Sequence, residues 1–353
     1  MGTESIEASF LSIFALISFF IFLIISKYSQ KIKGGALLDE DFLKPQAFHD
    51  IPVTRSGGVA VIISLSFFFV IYYLLYSKIL YNYIFISYSM FLIGFLDDLK
   101  INIQPLKRLM IMVILLFLFI YFLPIKILNI DIPFLLPLMY SHVFSSIFVL
   151  LCFLFIINGA NLIDGFNGLL TINLIIINII LAYINMNNGN IEFTFLLISQ
   201  IIILLSFLLF NFPSAKIFLG DSGAYIFGAL ISLNTIITNN LNPKISSFFF
   251  CTLLFYLFFE VFFSFLRKLI QKKSPIYPDG NHLHMLSFYK ISNIYGKNKA
   301  NYINSIIINV LYLILIIPGL YLLNDPKLSR YWFFILMLIY IIIYSRLYRL
   351  TKN

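Results

Sequence analysis

The chain has 353 residues, 61% of them hydrophobic and only 11% charged, with a mean hydropathy of +0.98 and a formal net charge of +9. So little polar surface cannot clothe a soluble core of this size, which excludes a soluble globular domain. The positive charge lies in short stretches between apolar runs, which argues against a nucleic-acid partner and for a polytopic membrane protein.

The first apolar run, Ala8–Ile25, follows Glu4 and Glu7 and precedes Lys27, Lys31 and Lys33. A secretory signal would carry its positive charge ahead of the apolar part, so this run is expected to be a first span with its N-terminus outside. Further runs cover Gly58–Tyr76, Ile79–Leu96, Leu109–Leu123, Val143–Ile157, Leu169–Ile184 and Phe193–Leu209. Ala224–Ile237, Ile245–Leu266, Ile303–Leu323 and Trp332–Tyr344 complete eleven, with ten as the fallback count. Several are shorter than the ~20 residues that cross a bilayer and must borrow flanking residues or sit in thinned membrane. The expected fold is an all-α, single integral membrane domain over residues 1–353. Alternating the spans puts nineteen of the 24 Lys and Arg residues on the cytoplasmic side, with the C-terminus. That bias supports the orientation. Pro124–Tyr140, with β-branched residues and flanking prolines, predicts a small outer β-hairpin. No repeat or inverted symmetry is visible. Cys152 and Cys251 both sit inside apolar runs, which argues against a disulfide or a cysteine metal site.

Four polar clusters fall on the cytoplasmic face, although Lys and Arg alone set the orientation. The first, Asp97-Asp98, ends an apolar run. Adjacent helical residues point about 100° apart, so the two acids are expected to take different roles, one toward a metal and one toward a substrate. The second is NGANLIDGFNGL, residues 158–169. Asn158 and Asn161 share a helix face and offer uncharged donors and acceptors suited to a base or sugar. Asp164-Gly165 and Asn167-Gly168 are turn dipeptides that allow positive φ and close backbone approach. The third, around Gly220, Asp221 and Ser222, opens an apolar helix. Asp or Ser there is an ordinary cap, but such a terminus also attracts phosphate through free N–H groups, and Asp221 could hold a divalent cation. The fourth, PDGNHLH (278–284), carries His282 and His284, where a solvated loop pair, a zinc site and a diphosphate contact compete. Glu260 is the only acid well inside an apolar run. Arg267 shares its helix face seven residues on, and a structural role is expected for both.

With these residues in hand, the chain resembles the polyprenyl-phosphate N-acetylhexosamine-1-phosphate transferases. The motifs IPVTRSGG (51–58), GFLDDLK (94–100), NGANLIDGFNGL, FLGDSG (218–223) and PDGNHLH occur in that family's order over most of the chain. The resemblance implies transfer of a sugar 1-phosphate, best matched by GlcNAc 1-phosphate, from a UDP-N-acetylhexosamine to undecaprenyl or a similar polyprenyl phosphate. UMP is released, and a lipid-linked glycan such as O-antigen or a cell-wall polymer is begun in the bacterial inner membrane. It implies Mg2+, with Mn2+ as the alternative ion. Asp221 resembles the magnesium ligand, with Asp98 and Asn161 completing the set. Asp97 and Asp98 resemble the acids facing lipid phosphate and metal. Asn161, Asp164, Gly165 and Phe218 resemble a nucleoside pocket, Phe218 stacking on uracil. Asn158, Asn167 and Arg55 join the substrate contacts, and His282 and His284 resemble diphosphate-binding histidines. Two positions depart from the pattern: Asn167 stands where Asp is usual, and Met285 where a third histidine is common. The His-Leu-His form is similar to the hexosamine branch rather than the phospho-N-acetylmuramoyl-pentapeptide branch. A homo-oligomer is compatible with such a fold. A transporter would place its ionisable residues near the midplane, whereas these acids lie at span ends. A scaffold that has lost activity would have no need of Asp97, Asp98 and Asp221.

Overall fold

The computed structural model describes residues 3–29, 37–39, 52–101, 103–123, 125–275 and 279–352. Lys31, Lys33, Ile51, Pro124 and Pro278, each part of a sequence-based expectation above, lie outside the described residues. In chain order the helices begin with α1 (Thr3–Tyr28), α2 (Gly57–Tyr76), α3 (Tyr81–Asp98), α4 (Pro105–Phe122) and the one-turn α5 (Leu136–Met139). Then come α6 (His142–Ile163), α7 (Leu169–Asn187), α8 (Ile191–Asn211), α9 (Gly220–Leu241) and α10 (Ser247–Leu253). The last four are α11 (Phe255–Ile270), α12 (Leu283–Tyr295), α13 (Lys297–Tyr321) and α14 (Pro326–Lys352). Two short antiparallel strands, β1 (Leu38–Asp39) and β2 (Val53–Thr54), precede α2.

The chain is a multi-pass membrane protein. Among the described residues eight helices are long and apolar enough to cross a bilayer, or nine if α10 and α11 count as one bent span. That is fewer than the eleven runs expected, because α3 and α9 do not meet this measure. The polarity of α9 has a packing reason. Helix α9 is buried along nearly its whole length, enclosed by α2, α3, α6 and α7. A helix that faces protein instead of lipid need not be apolar. Its Asn234 donates to Gln200 Oε1 at 2.7 Å and to Asn178 Oδ1 at 3.2 Å, and accepts from Tyr83 Oη at 2.9 Å. Asn185 donates to Thr238 Oγ1 at 2.9 Å. These buried bonds fasten α3, α7 and α8 to the central helix.

The 76° bend between α10 and α11 has a local cause. The two helices meet at Leu254, and Tyr312 of α13 donates its hydroxyl to the adjacent Leu253 carbonyl at 2.5 Å. An inserted side-chain partner of this kind stabilises a sharp kink.

The expected hairpin over 124–140 is not present: residues 125–140 contain no strand. Asparagines at the far end of α9 satisfy the backbone there in place of a second strand. Asn240 accepts from Leu128 N at 2.9 Å and donates to Lys126 O at 2.7 Å, while Asn239 donates to Asn129 O at 3.0 Å. Asp131 accepts from Ser246 Oγ and Ser247 N, both at 2.6 Å.

Candidate active site

The site is built where α3 ends and α9 begins. Asp98 is 1% exposed. Its Oδ1 accepts from Asp221 N at 2.9 Å, and its Oδ2 accepts from Ser222 N at 3.0 Å and Ser222 Oγ at 2.5 Å. Asp98 therefore caps α9 from another helix. The expectation that this terminus offers its N–H groups to phosphate is corrected accordingly: Asp98 takes two of them and has little bonding capacity left for a metal or lipid phosphate. The contact requires glycine beforehand. Gly220 has φ +75°, and a Cβ there would lie 2.7 Å from both Asp98 carboxylate oxygens.

Asp97 points elsewhere, as adjacent helical positions must. It accepts from Arg108 Nη1, and the same nitrogen donates to Asp221 Oδ2 at 3.0 Å. Asp97 and Asp221 thus share one cationic nitrogen, and the Arg108 guanidinium also lies 5.8 Å from the Tyr225 ring centre. Arg108 is a site residue that the sequence reading assigned only to topology. A signal was available: Pro105 opens α4, placing Arg108 in a first turn where the helix dipole disfavours a cation.

The motif at residues 51–58 clamps onto this core. Phe218 N donates to Thr54 O at 2.8 Å, Gly57 N to Phe218 O at 2.9 Å and Gly58 N to Leu219 O at 2.8 Å. A Cβ on Gly58 would meet Ser222 Oγ at 2.0 Å, so the approach tolerates no side chain. Phe218 is half-buried in this clamp. Arg55 donates from Nε (3.0 Å) and Nη2 (2.7 Å) to Asp39 Oδ2. Burial alone would weaken its protonation, but the charges of Asp221 and Asp39 reverse this and hold the guanidinium above its usual range.

Residues 158–169 separate into two kinds. Asn161 Nδ2 donates to Tyr225 Oη at 2.9 Å, joining α6 to the first turns of α9. Asp164, just past the end of α6, is pushed up to about 8 by burial and then by the charges of Asp221 and Asp98. Gly165 keeps ordinary φ, against expectation, but a Cβ there would meet nothing within 4 Å, so its backbone borders open space. Gly168 does adopt φ +77°. The other two asparagines donate their amide nitrogens to backbone carbonyls. Asn158 Nδ2 donates to Leu154 O of its own helix at 2.7 Å. Asn167 N donates to Asn301 Oδ1 at 2.8 Å and its Nδ2 to Pro213 O at 2.9 Å.

The histidines sit one step further out. Phe166 meets the His284 ring edge-on at 5.8 Å, which connects this cluster to residues 158–169. His282 Nδ1 lies 3.1 Å from Glu260 Oε1, and His284 Nδ1 lies 3.2 Å from Tyr256 Oη. Burial holds the His284 ring neutral, its pKa lowered to about 3. Arg267 pairs with Asp279 at 2.6 Å. The structure thus joins the four clusters, Asp98 linking the first to the third, Asn161 the second to the third, and Phe166 the second to the fourth.

Could these residues hold a divalent cation? Among the described residues no three His, Cys, Asp or Glu side chains converge as a ready-made ligand set. Asp97 and Asp221 nevertheless form a pair of hard oxygen donors already balanced by one cationic group, Arg108. This fits magnesium, which takes one or two carboxylates and completes its shell with water and substrate phosphate.

Comparison with known proteins gives consistent results. Residues 80–239 match the model of "Glycosyl transferase family 4". The chain is 26% identical over 280 residues to the undecaprenyl-phosphate alpha-N-acetylglucosaminyl 1-phosphate transferase of Thermotoga maritima, covering 78% of this chain and 80% of that one. It is 32% identical over 231 residues to the phospho-N-acetylmuramoyl-pentapeptide-transferase of Streptococcus thermophilus, covering 60% and 66%. The same enzyme of Streptococcus agalactiae is 30% identical over 250 residues, covering 63% and 72%. The family match spans α3 to α9 and hence the carboxylates, but not the histidines.

Proposed function

The chain belongs to glycosyl transferase family 4 as a polyprenyl-phosphate sugar-1-phosphate transferase, and from that premise we propose that it moves N-acetylglucosamine 1-phosphate from UDP-GlcNAc to undecaprenyl phosphate, releasing UMP. The product begins a lipid-linked cell-surface glycan. The Thermotoga relative supports this donor by matching along most of both chains, as does the His-Leu-His form at 282–284. The muramoyl-pentapeptide donor is the second reading, favoured by the higher identity of the streptococcal relatives over shorter stretches.

The observation that carries the proposal is the sharing of Arg108 Nη1 by Asp97 and Asp221, 124 positions apart in sequence. Two carboxylates balanced by one cation form a place where phosphates and a divalent ion can meet. We assign Asp97 and Asp221 as the residues that hold Mg2+, or Mn2+ in its place, and assign Asp98 to capping. The ion, when bound, offsets repulsion between nucleophile and diphosphate and stabilises charge on the leaving UMP.

The protein's own groups do the rest. A phosphate monoester has a second pKa near ~6, so the lipid phosphate arrives largely ionised and needs no base. Arg108 and Arg55 draw it toward the carboxylates and fix its approach. Asp164, its pKa raised to about 8 by burial and by the charges of Asp221 and Asp98, faces the nucleotide beside the open Gly165 backbone. Phe218 and Asn161 border the base, and His282 and His284 contact the diphosphate.

Counting α3 and the protein-enclosed α9 as spans gives eleven, with the N-terminus outside and the site facing the cytoplasm of a bacterial inner membrane. The nineteen-to-five division of the 24 Lys and Arg residues supports that orientation. The test is UMP release by the purified chain with undecaprenyl phosphate, comparing UDP-GlcNAc, UDP-GalNAc and the muramoyl-pentapeptide nucleotide. Turnover with the last alone would replace the proposal by the second reading.

A further inference from the structure

His282 and His284 are 1% and 0% exposed, with parallel rings 5.6 Å apart. Among the described residues both Nε2 atoms are buried without a hydrogen-bond partner, although Asp279 Oδ1 lies 3.4 Å from that of His282. Buried polar atoms in native proteins are normally satisfied, so a pair of bare ring nitrogens side by side points to a ligand. What distinguishes the rings is the partner on the other nitrogen.

Glu260 can only accept. Besides His282 Nδ1 it takes Leu283 N at 3.0 Å on Oε1 and Tyr340 Oη at 2.6 Å on Oε2. Its contact with His282 therefore requires a proton on Nδ1, and Nε2 of the neutral ring is bare. At His284 the partner is the Tyr256 hydroxyl, which has no other acceptor among the described residues. Donation from it to Nδ1 would leave the ring proton on Nε2.

We propose that Glu260 and Tyr256 are positioning residues that impose opposite tautomers on the two histidines, so that His284 presents a permanent Nε2–H donor and His282 an Nε2 that donates only when its ring is charged. The ligand class this suits is a diphosphate, which rests on the transfer reading above. Arrival of the anion draws one proton from solvent onto His282 Nε2, and product release returns it. Charged groups face His282 on more than one side. Glu260 lies against one edge, and Asp279 Oδ1 lies 3.4 Å from Nε2, itself held by Arg267 with Lys268 nearby. Tyr340 and Tyr344 of α14 close the far side, Tyr344 donating to Asn281 O at 3.0 Å, and His284 remains neutral. Substrate capture then weakens as pH rises and the donor is lost.

The chain has four histidines, so nitrogen-15 NMR of the full protein, labelled at histidine in detergent micelles, can read each ring. In mildly alkaline solution the wild type is expected to show His284 protonated at Nε2 and His282 at Nδ1, assigned with H282N and H284N. E260A, which removes the acceptor, should abolish the His282 preference and leave His284 unchanged, and Y256F should do the converse. The KM for UDP-GlcNAc should rise by up to about tenfold per pH unit on the alkaline limb, the slope of one proton. In E260A that limb should flatten, with kcat changing far less than KM. The same tautomer on both wild-type rings would overturn the proposal, as would a KM independent of pH. Opposite tautomers in a protein that releases no UMP would overturn the transfer reading and leave this wiring standing.

Discussion

Asp98 Oδ1 accepts the backbone N–H of Asp221 at 2.9 Å, so one acid of the adjacent pair is the cap for the helix that carries the third acid. Asp97, one residue earlier, meets the Asp221 side chain at the shared nitrogen of Arg108. Two neighbouring carboxylates thus hold the same residue, one by its backbone and one through its side-chain charge.

The two acids should therefore fail differently. Asp98→Ala strands two buried N–H groups and a hydroxyl, with an expected loss of about 2 kcal/mol or more in stability. Asp97→Ala should unfold at nearly the wild-type temperature and lose activity. Thermal unfolding in detergent beside UMP release separates the two. Equal unfolding temperatures would contradict the capping role.

Arg108 should matter beyond its charge. Arg108→Ala leaves Asp97 and Asp221 facing each other without their shared donor, and kcat/KM is expected to fall roughly 10²-fold, the scale of losing one aligned donor in an active site. Arg108→Lys should recover only part, because an ammonium is a point charge and not a planar fork. Wild-type rates in either variant would remove Arg108 from the site.

At the other end of α9, Asn240→Ala should be a stability change alone. It removes two hydrogen bonds to Leu128 and Lys126, with an expected loss of about 1–2 kcal/mol. The site lies about 30 Å away along the helix, so UMP release per folded molecule should be unchanged. A selective loss of rate would reveal a coupling between the two ends of α9.

The Arg267–Asp279 pair should make the histidine loop sensitive to acid. Burial raises the Asp279 carboxyl, but Arg267 outweighs it and lowers its pKa from 3.8 to about 2. A depressed folded-state pKa stabilises above the unfolded value, so this contribution is complete above about pH 4 and disappears as pH falls toward about 2. Asp279→Asn should flatten the dependence of unfolding temperature on pH in that window. An unchanged slope would contradict it.

Much of this architecture was readable from the chain. The eleven apolar runs all became helices, and the four polar clusters were joined by Asp98, Asn161 and Phe166. Sequence could not assign Asp98 to capping, because its partners lie 123 and 124 residues away. The hairpin failed for a similar reason. β-branched residues at 125–132 signalled strand locally, but Asn239 and Asn240 satisfied that backbone from afar. Asn167 carried a turn signature, yet its amide was committed to Pro213. Arg108 was misjudged because counting it toward topology hid its unfavourable place at a helix start. Glu260 stood out as a deep acid, but nothing in sequence tied it to Tyr340, 80 residues on.

The most direct measurement of the central claim is UMP release from UDP-GlcNAc by the purified chain with undecaprenyl phosphate, in wild type and Asp221→Ala, with magnesium and after its removal by chelation. The expected result is UMP formed in step with a lipid-linked GlcNAc diphosphate in the wild type with magnesium, and neither product in the other three conditions. Substantial turnover by Asp221→Ala, or by the chelated wild type, would contradict the assignment of Asp97 and Asp221 as the residues around which the phosphates meet.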